Sequence, residues 1–560
     1  MAYKWIALSN TTVGVLLASI TGNIILISLP AIFRGMNVNP LSPDGANYML
    51  WMLMGFTVMT ATLLVTFGRL SDIFGRVKLY NVGFAIFTVA SILLYFTPAN
   101  GGTGLTIMII FRLVQGVGAG FLFANSMAII TDAFSAKERG MAMGLNQIAS
   151  IGGTLIGLIL GGVLSAIDWR LVFLVSVPVG LFGTVWAFLK LKEQSKPDKT
   201  QKIDWLGNAT FAAGLTLLLL GMTLGIMPYG SSNMGWHSPF VIGGIGGGLV
   251  LLIAFVFIER RVAQPMFDID LFRVRAFWCG NTSLFLSSIA RGGLQFILVI
   301  WLQGIWLPLH GYSFESTPLW AGIYMLPMTA GFFIMGPLCG RWSDKYGARW
   351  FSTGGMLISV AGFAALNFLP FDFHYSAFFV ILLALGIGMG MFAAPNTSAI
   401  MNSVPARDRG ASSGMRATVQ NSGMALSMAI YFTILIVGLS AHLPPVLSSG
   451  LISAGVPASA AQQIAHMPPT SALFAAFLGF NPMQELISPD VMNALPAATQ
   501  STLLGTTFFP DTIAPAVMSS LHIAFWISAG LSLIAAVVSF LRGKRYVYGE
   551  TPLPAKVQIA

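Results

Sequence analysis

Most of the chain's positive charge lies in short gaps between long apolar runs, and it is concentrated in every second gap. All but five of the 29 Lys and Arg residues fall in these alternate gaps or in the terminal segments. A helix needs about 20 residues to cross a hydrocarbon core. Fourteen runs meet that length, namely residues 7–33, 48–67, 79–97, 104–130, 141–164, 169–191, 205–227, 238–259, 276–307, 319–340, 350–369, 374–401, 411–438 and 518–541.

The charge asymmetry between gaps predicts the orientation of the chain. The face that includes the gap after the second span receives residues such as Arg69, Arg76 and Lys78, whereas the opposite face has only Arg34 and Arg170 at its edge. Positive charge is retained on the cytoplasmic side of a membrane. We therefore expect a multi-pass protein of the plasma membrane with an even number of spans and both termini in the cytoplasm.

Composition supports the same class of protein. The chain is 56% hydrophobic and only 9% charged, with a mean hydropathy of +0.79. A soluble protein of this composition would expose large apolar patches. The net charge of +10 is dispersed over many gaps, which favours contact with the lipid bilayer over binding of nucleic acid. We expect a monomer.

The chain contains an internal duplication. GRLSDIFGR at 68–76 recurs as GRWSDKYGAR at 340–349, and two further motifs recur at nearly the same offset. All lie at matching places of a six-span unit, which predicts two bundles around a shared midplane site. The expected fold is an all-α polytopic membrane protein of two six-helix bundles with two inserted helices. Its expected parts are residues 1–195, 196–265 and 266–560, with a long extracytoplasmic loop at 439–517.

The repeated loop motif resembles that of the major facilitator superfamily, and specifically its fourteen-spanner drug/proton antiporter branch. The resemblance covers nearly the whole chain. It implies that the loop is a gate that locks the cytoplasmic side when the transporter faces outward. The residues that match the motif are Gly68, Arg69, Asp72, Gly75 and Arg76, with Arg341 and Asp344 in the second copy.

The fourth span contains a charge at an unfavourable depth. Arg112 lies eight residues into the span, with Gln115 on the same helical face. The pair resembles the family's fourth-span motif, whose arginine is implicated in proton coupling. The alternative is a structural arginine whose donors are satisfied by carbonyl or carboxylate groups.

Small residues repeat along the fifth span. Gly153, Gly157, Gly161 and Gly162 resemble the family's antiporter motif and suit close packing, which we expect at the interface between the bundles. Leu158 occupies the place where the family usually has proline.

The span interiors contain arginine but no Asp or Glu. Thr21 stands where many members of the branch carry an aspartate. Arg291 lies midway along the ninth span, and Arg416 lies just inside the thirteenth. We expect Arg291 to contact substrate together with Asn23, Gln295 and Gln303, in a cavity suited to anionic or neutral cargo. The alternative for Arg291 is an interhelical hydrogen bond away from any ligand.

The outer segment 439–517 has no Lys or Arg, and its apolar stretch 470–480 is too short to span. It is expected either as a short amphipathic helix over the outer mouth or as a loop on the bilayer surface.

The resemblance implies a transporter that needs no cofactor and uses the proton gradient to export hydrophobic or amphipathic small molecules. The main alternative is a facilitator or symporter for an organic anion, which the missing membrane acids and Leu158 favour. A membrane enzyme would need a nucleophile or metal cluster, and the sequence shows none. A channel or receptor would not explain two gate loops.

Overall fold

The computed structural model describes residues 2–39, 44–98, 100–134, 138–194, 204–226, 229–230, 234–262, 265, 269–405, 409–478, 481–544, 546 and 548. The first half of this described chain is built from α1 (Tyr3–Gly35), α2 (Gly45–Phe74), α3 (Arg76–Tyr95), α4 (Gly101–Ala133), α5 (Arg139–Ile167), α6 (Leu171–Leu174) and α7 (Ser176–Lys190). Since only Val175 separates α6 from α7, the two form one crossing.

Two further helices, α8 (Trp205–Ile226) and α9 (Pro239–Glu259), follow as the insert. They pack against each other, and α8 also contacts α2. Thr66 of α2 donates a hydrogen bond to Oδ1 of Asn208 in α8, at 2.9 Å. The predicted boundaries at 195/196 and 265/266 involve residues 195, 196 and 266, which lie outside the described part of the chain.

The second half begins with α10 (Arg275–Trp301), which ends in a π-helical turn, Leu302–Trp306. It continues through α11 (Leu307–Leu309), α12 (Thr317–Tyr324), α13 (Leu326–Tyr346), α14 (Ala348–Leu366), α15 (Tyr375–Asn402) and α16 (Arg409–Ser453). Short outer helices follow as α17 (Ala458–Ala465), α18 (Pro469–Leu478), α19 (Met483–Leu486), α20 (Pro489–Ala494) and α21 (Ala497–Leu503). The last crossing is α22 (Phe508–Leu541).

The described chain has 13 helices that are long and apolar enough to cross a membrane. The remaining predicted span, 350–369, corresponds to α14, which is not among these 13 helices and packs between α15 and α22. Its 19 residues extend about 28 Å at 1.5 Å per residue, which is close to the thickness of the hydrocarbon core. The predicted all-α polytopic fold is confirmed.

The same helix pairs pack in both halves. In the first half α1 packs on α5, α2 and α3 pack on α4, and α3 packs on α7. In the second half α10 packs on α16, α13 and α14 pack on α15, and α14 packs on α22. The duplication seen in the sequence therefore appears as a duplicated packing pattern. The insert lies at the seam, since α8 contacts both α2 and α16.

The outer segment is shorter than the sequence indicates, because the helices that flank it are longer. The predicted loop was 439–517, but α16 continues to Ser453 through Pro444 and Pro445, and α22 starts at Phe508. The 45 residues of α16 extend about 68 Å, so this helix continues well past a core about 30 Å thick.

Of the two expectations for the outer segment, the structure shows a short packed helix, but without the amphipathic character that was expected. The side chains of α18 described in the structure are buried, and α18 contacts α1 and α2 of the first half as well as α16 and the π-helical turn of the second. The rings of Phe477 in α18 and Phe296 in α10 have centroids 6.0 Å apart. The helix therefore fills the space between the halves at their outer ends.

Candidate functional site

A cavity of about 310 Å³ lies between the two halves. The first half lines it with α1, α2, α4 and α5, and the second half lines it with α10, α13, α15 and α16. These are matching helices of the duplicated unit. The cavity therefore lies where two pseudo-equivalent bundles meet, which is the expected place for a substrate site in such folds.

Two arginines from paired helices line this cavity. Arg291 comes from α10 and Arg416 from α16. Arg416 is only 6% exposed and donates a hydrogen bond from Nη1 to Oε1 of Gln420, at 3.0 Å. Nε of Arg291 and Nε2 of Gln295 are buried with no hydrogen-bond partner among the described residues.

Among the described residues that line the cavity, none is Asp or Glu. Burying a charge without a counter-charge is unfavourable, and the penalty falls when an opposite charge arrives. Buried donors without acceptors add to the same preference, because each costs about 1–3 kcal/mol while it is unsatisfied. The cavity therefore favours a ligand that presents an anionic or strongly accepting group.

Amides and hydroxyls complete the polar lining. Asn23 donates from Nδ2 to the carbonyl oxygen of Ser19 at 2.9 Å and to Oγ1 of Thr154 at 3.2 Å. Sequence reasoning singled out Asn23 and Gln295 but missed most of the others. The signal that could have found them is a run of polar side chains within apolar spans: Asn146, Gln147, Ser150, Gln420 and Asn421.

The rest of the lining is mostly apolar, and its large side chains are aromatic rings and methionines. Such side chains accept apolar ligands of varied shape, since methionine is flexible and polarisable. The larger ones are Phe56, Phe123, Phe296, Phe332, Met127, Met328, Met389, Met424 and Met428. The site therefore combines a cationic, amide-rich part with an adaptable apolar part, which suits an amphipathic molecule.

Side-chain hydroxyls of α16 contact the backbone of α10 beside Arg291. The hydroxyl of Ser427 in α16 donates to the carbonyl oxygen of Ile289 and accepts the N–H of Gly293, at 2.7 Å for the latter. These two groups are hydrogen-bonding partners across one turn of an α-helix, so the hydroxyl of Ser427 competes for both. The hydroxyl of Tyr431 donates to the carbonyl oxygen of Ala290, at 3.1 Å.

Arg112 lies one layer behind the cavity and does not line it. It is fully buried, and Nη1 donates to Oε1 of Gln115 at 2.7 Å and to the carbonyl oxygen of Thr21 at 3.2 Å. Gln115 in turn donates to Oγ of Ser91, at 2.8 Å. Nε and Nη2 of Arg112 have no hydrogen-bond partner among the described residues. One nitrogen of the guanidinium is therefore fixed by two acceptors, whereas the other two nitrogens lack an acceptor among the described residues.

The gate loop is described only in part. The side chains of Arg69, Asp72 and Asp344 lie outside the described part of the structure. Arg76, at the start of α3, forms an ion pair at 2.6 Å with Asp132, at the end of α4. Arg341 is exposed.

The two glycines of the first loop copy differ in their surroundings. Gly75 has φ of 106°, and a Cβ placed there would lie 2.8 Å from Oε2 of Glu193. A Cβ at Gly68 would meet nothing within 4 Å. A close neighbour is therefore present at Gly75 and absent at Gly68.

Three of the four fifth-span glycines pack within the first half. Added Cβ atoms at Gly153, Gly157 and Gly161 would lie 2.6–2.7 Å from carbonyl oxygens of α1. Only Gly162 faces the other half, where a Cβ would lie 2.5 Å from Cα of Leu319 in α12. The sequence placed all four at the bundle interface. The structure corrects this, because glycines four residues apart share one helical face and Gly162 lies about 100° away from it.

Contacts between the halves lie on both sides of the cavity. At the outer end Gly162 meets Leu319, and a Cβ at Gly322 would lie 3.4 Å from the carbonyl oxygen of Leu158. At the other end Met401 of the second half joins a hydrophobic cluster of the first half that includes Leu8 and Phe134. Leu158, at the place where the resemblance implies a proline, thus contributes its carbonyl oxygen to this contact.

Gln303 is not among the residues that line the cavity, although the sequence grouped it with Arg291 and Gln295. It lies in the π-helical turn, 1% exposed, and neither side-chain polar atom has a hydrogen-bond partner among the described residues. Twelve residues of helix separate it from Arg291, a rise of about 18 Å.

Comparison with known proteins shows similarity to one superfamily of membrane transporters. The model of the Major Facilitator Superfamily matches residues 11–217 and 204–428. The riboflavin transporter RibZ of Clostridioides difficile (strain 630) is 28% identical over 77% of this chain and 88% of its own length. The multidrug transporter protein MdtP of Bacillus subtilis (strain 168) is 25% identical over 96% of this chain and 92% of its own.

A solved structure shares the fold. The crystal structure of a bacterial homologue of the human lysosomal transporter Spinster, inward-facing and unoccupied, superposes with a TM-score of 0.53. The match covers 98% of this chain and 99% of that one, at 16% identity.

Proposed function

Because the chain belongs to the major facilitator superfamily, we propose that it exports hydrophobic or amphipathic small molecules, anionic or neutral in charge, in exchange for protons. Export proceeds by alternating access of the central cavity to the two sides of the membrane. The protein is a multi-pass membrane transporter and not an enzyme, as its sequence predicted. The proposal places it in the plasma membrane as a monomer with both termini in the cytoplasm and without a cofactor.

One observation carries the choice of substrate class. Arg291 and Arg416 line the same cavity, and none of the described residues that line it is acidic. A lipophilic cation would meet two like charges there, whereas an anion would receive charge-assisted hydrogen bonds. The apolar lining supports a substrate with a hydrophobic part.

Arg112 supports proton coupling. No described lining residue offers a carboxylate that could exchange protons with the cavity. The network that links Thr21, Arg112, Gln115 and Ser91 lies directly behind it, with donors left over. A change in the hydration or the hydrogen-bond partners of this network is the proposed link to proton movement. It would couple proton movement to the switch between the cavity states that open to the two sides of the membrane.

The test is export by proteoliposomes with an imposed pH gradient. Wild-type protein is expected to move an amphipathic anionic dye only when the gradient is present, and Arg291→Gln to lose most of this transport. Arg170→Gln is the matched control, because Arg170 lies at the outer edge over the ring of Trp169, away from the cavity. Equal transport by all three proteins would contradict the substrate assignment.

A second candidate is a facilitator or symporter for an organic anion. The acid-free lining and Leu158 favour it, and one relative is named as a riboflavin transporter. Counterflow with and without a pH gradient separates the two functions. Equal counterflow rates with and without the pH gradient, together with no net uphill export, would support the facilitator.

A further inference from the structure

The second crossing of each half ends in the same glycine turn. Gly75 and Gly347 occupy corresponding positions of the repeated loop and have φ of 106° and 85°. A helix starts directly after each, α3 at Arg76 and α14 at Ala348. The first N–H groups of a helix lack intrahelical partners, and the helix dipole adds partial positive charge. Each turn is therefore suited to an anion.

In the first half the chain supplies that anion itself. The N–H of Arg76 donates to Oε1 of Glu193 at 3.1 Å, and the N–H of Val77 donates to Oε2 at 3.0 Å. Glu193 is the third residue after α7 ends at Lys190. Its carboxylate thus joins the start of α3 to the segment that follows the last crossing of this half.

In the second half the corresponding position has the opposite charge. The third residue after α22 ends at Leu541 is Lys544. Lys544 lines a cavity of about 40 Å³ together with Gly347, Ala348 and Arg349. None of the described residues that line this cavity is acidic. The second half therefore keeps the turn and the helix start and presents a cation where the first half presents a carboxylate.

Arg542 provides independent support for an anion at this place. Arg542 is 5% exposed and lines the same cavity. Nη2 donates to Oδ1 of Asn396, but Nε and Nη1 have no hydrogen-bond partner among the described residues. Burial lowers the pKa of Arg542 to about 10, so the guanidinium is charged near pH 7. Nε of Arg349 is also buried without a partner in the described chain.

We propose that this cavity binds a phosphate group, either as free phosphate or as the phosphodiester of an anionic lipid headgroup. Arg349, Arg542 and Lys544 supply the charge, and the start of α14 supplies backbone N–H groups. Ser343, Ser398 and Asn402 line the same cavity and add neutral hydrogen-bonding groups. Phosphate suits several converging donors better than a carboxylate does, since it offers more acceptor oxygens. Bound phosphate joins the start of α14 to the end of α22, just as Glu193 joins the start of α3 to the segment after α7 in the first half.

The first experiment measures thermal unfolding of the full-length protein in neutral detergent, titrated with inorganic phosphate against chloride at equal ionic strength. A parallel series uses vesicles of phosphatidylcholine with and without phosphatidylglycerol. A saturable rise in Tm with phosphate alone supports free phosphate as the ligand, and a rise with phosphatidylglycerol alone supports the lipid. A rise with both supports the shared phosphate chemistry, and no saturable rise with either overturns the proposal.

Variants localise the effect. Arg349→Gln and Lys544→Gln are each expected to raise the half-saturating concentration about tenfold, the usual effect of losing one charge-assisted hydrogen bond. Lys345→Gln is the matched control, because Lys345 is exposed in the last turn of α13 and does not line the cavity. An equal loss in Lys345→Gln would reduce the effect to general surface charge and overturn the site.

Charge reversal gives the sharpest test. Lys544→Glu places a carboxylate at the position that Glu193 occupies in the first half, so it should raise Tm without phosphate and remove the phosphate response. An unchanged phosphate response in this variant overturns the proposal. Glu550→Gln tests the chain's own tail, which lies outside the described residues. A lowered Tm in Glu550→Gln, together with a phosphate-insensitive wild type, would assign the place to Glu550 instead.

Discussion

The guanidinium of Arg112 lies over the ring of Phe56, with 4.7 Å between its carbon and the ring centroid, and Phe56 also lines the central cavity. A cation–π contact of a desolvated arginine contributes about 2 kcal/mol. Phe56 therefore both stabilises the buried charge and separates it from the cavity. This places the proposed coupling network one side chain away from the substrate.

Replacing Phe56 tests that separation. Phe56→Ala should admit water to Arg112 and weaken the dependence of export on the pH gradient, while substrate affinity falls only a few-fold through lost apolar contact. Phe56→Leu is the control that keeps an apolar cover without the ring. Export by proteoliposomes at several imposed gradients measures both, and an unchanged gradient dependence in Phe56→Ala would contradict the placement.

The two cavity arginines should act on affinity more than on folding. Arg291→Gln and Arg416→Gln each remove a charge-assisted hydrogen-bond donor, which costs about 1.5–3 kcal/mol, or roughly ten- to a hundredfold in Kd for an anionic ligand. A neutral analogue of the same shape should lose much less. Equilibrium binding of the two ligands to detergent-solubilised protein gives the comparison. Equal losses for both ligands would show that the arginines act through structure alone.

The fifth-span glycines should separate by position. Gly157→Ala places a Cβ 2.6 Å from the carbonyl oxygen of Ile20 within the first half, so it should lower Tm. Gly162→Leu instead pushes against Leu319 of the other half and should disfavour the state in which the outer ends touch. The shift is measured as the reactivity of a cysteine introduced into the cavity toward a reagent added from outside. Gly144→Ala is the matched control, because its Cβ meets nothing within 4 Å, and it should leave both readouts unchanged.

Ser427 should control the stiffness of α10 beside Arg291. Ser427→Ala removes a hydroxyl that competes for the carbonyl of Ile289 and the N–H of Gly293, so the backbone hydrogen bond between these groups should strengthen and stiffen this turn. We expect a slower transport rate with little loss of substrate affinity, and hydrogen exchange should show stronger protection at residues 289–293. Faster exchange there would mean that the hydroxyl holds the turn closed rather than open.

The crossings, the duplication and the acid-free interior followed from sequence because each is a local property of charge, length or spacing. The convergence of Arg291 and Arg416 did not, since the pair is brought together by packing of α10 on α16. Gln303 was grouped with Arg291 because both are polar residues of one span, but the rise along the helix carries it past the cavity. A pattern of residue types therefore predicts where a helix lies in the sequence better than it predicts which residues of that helix reach the cavity.

The helix ends were also hidden for a physical reason. The predicted span ended at residue 438, yet α16 continues through Pro444 and Pro445 to Ser453. Proline removes one hydrogen bond and strains the preceding turn, but packing against neighbouring helices offsets that cost. In the same way, the carboxylate of Glu193 on the start of α3 joins residues far apart in sequence, which no local motif indicates.

The cavity's charge is tested most directly by the binding of three probes that share one aromatic body and carry an anionic, a neutral or a cationic head. Wild-type protein should bind the anionic probe about tenfold or more tightly than the cationic one, as expected for one or more charge-assisted hydrogen bonds. The double variant Arg291→Gln, Arg416→Gln should lose this preference while still binding the neutral probe. Tightest binding of the cationic probe to the wild type, or the same order of affinities in both proteins, would contradict the account.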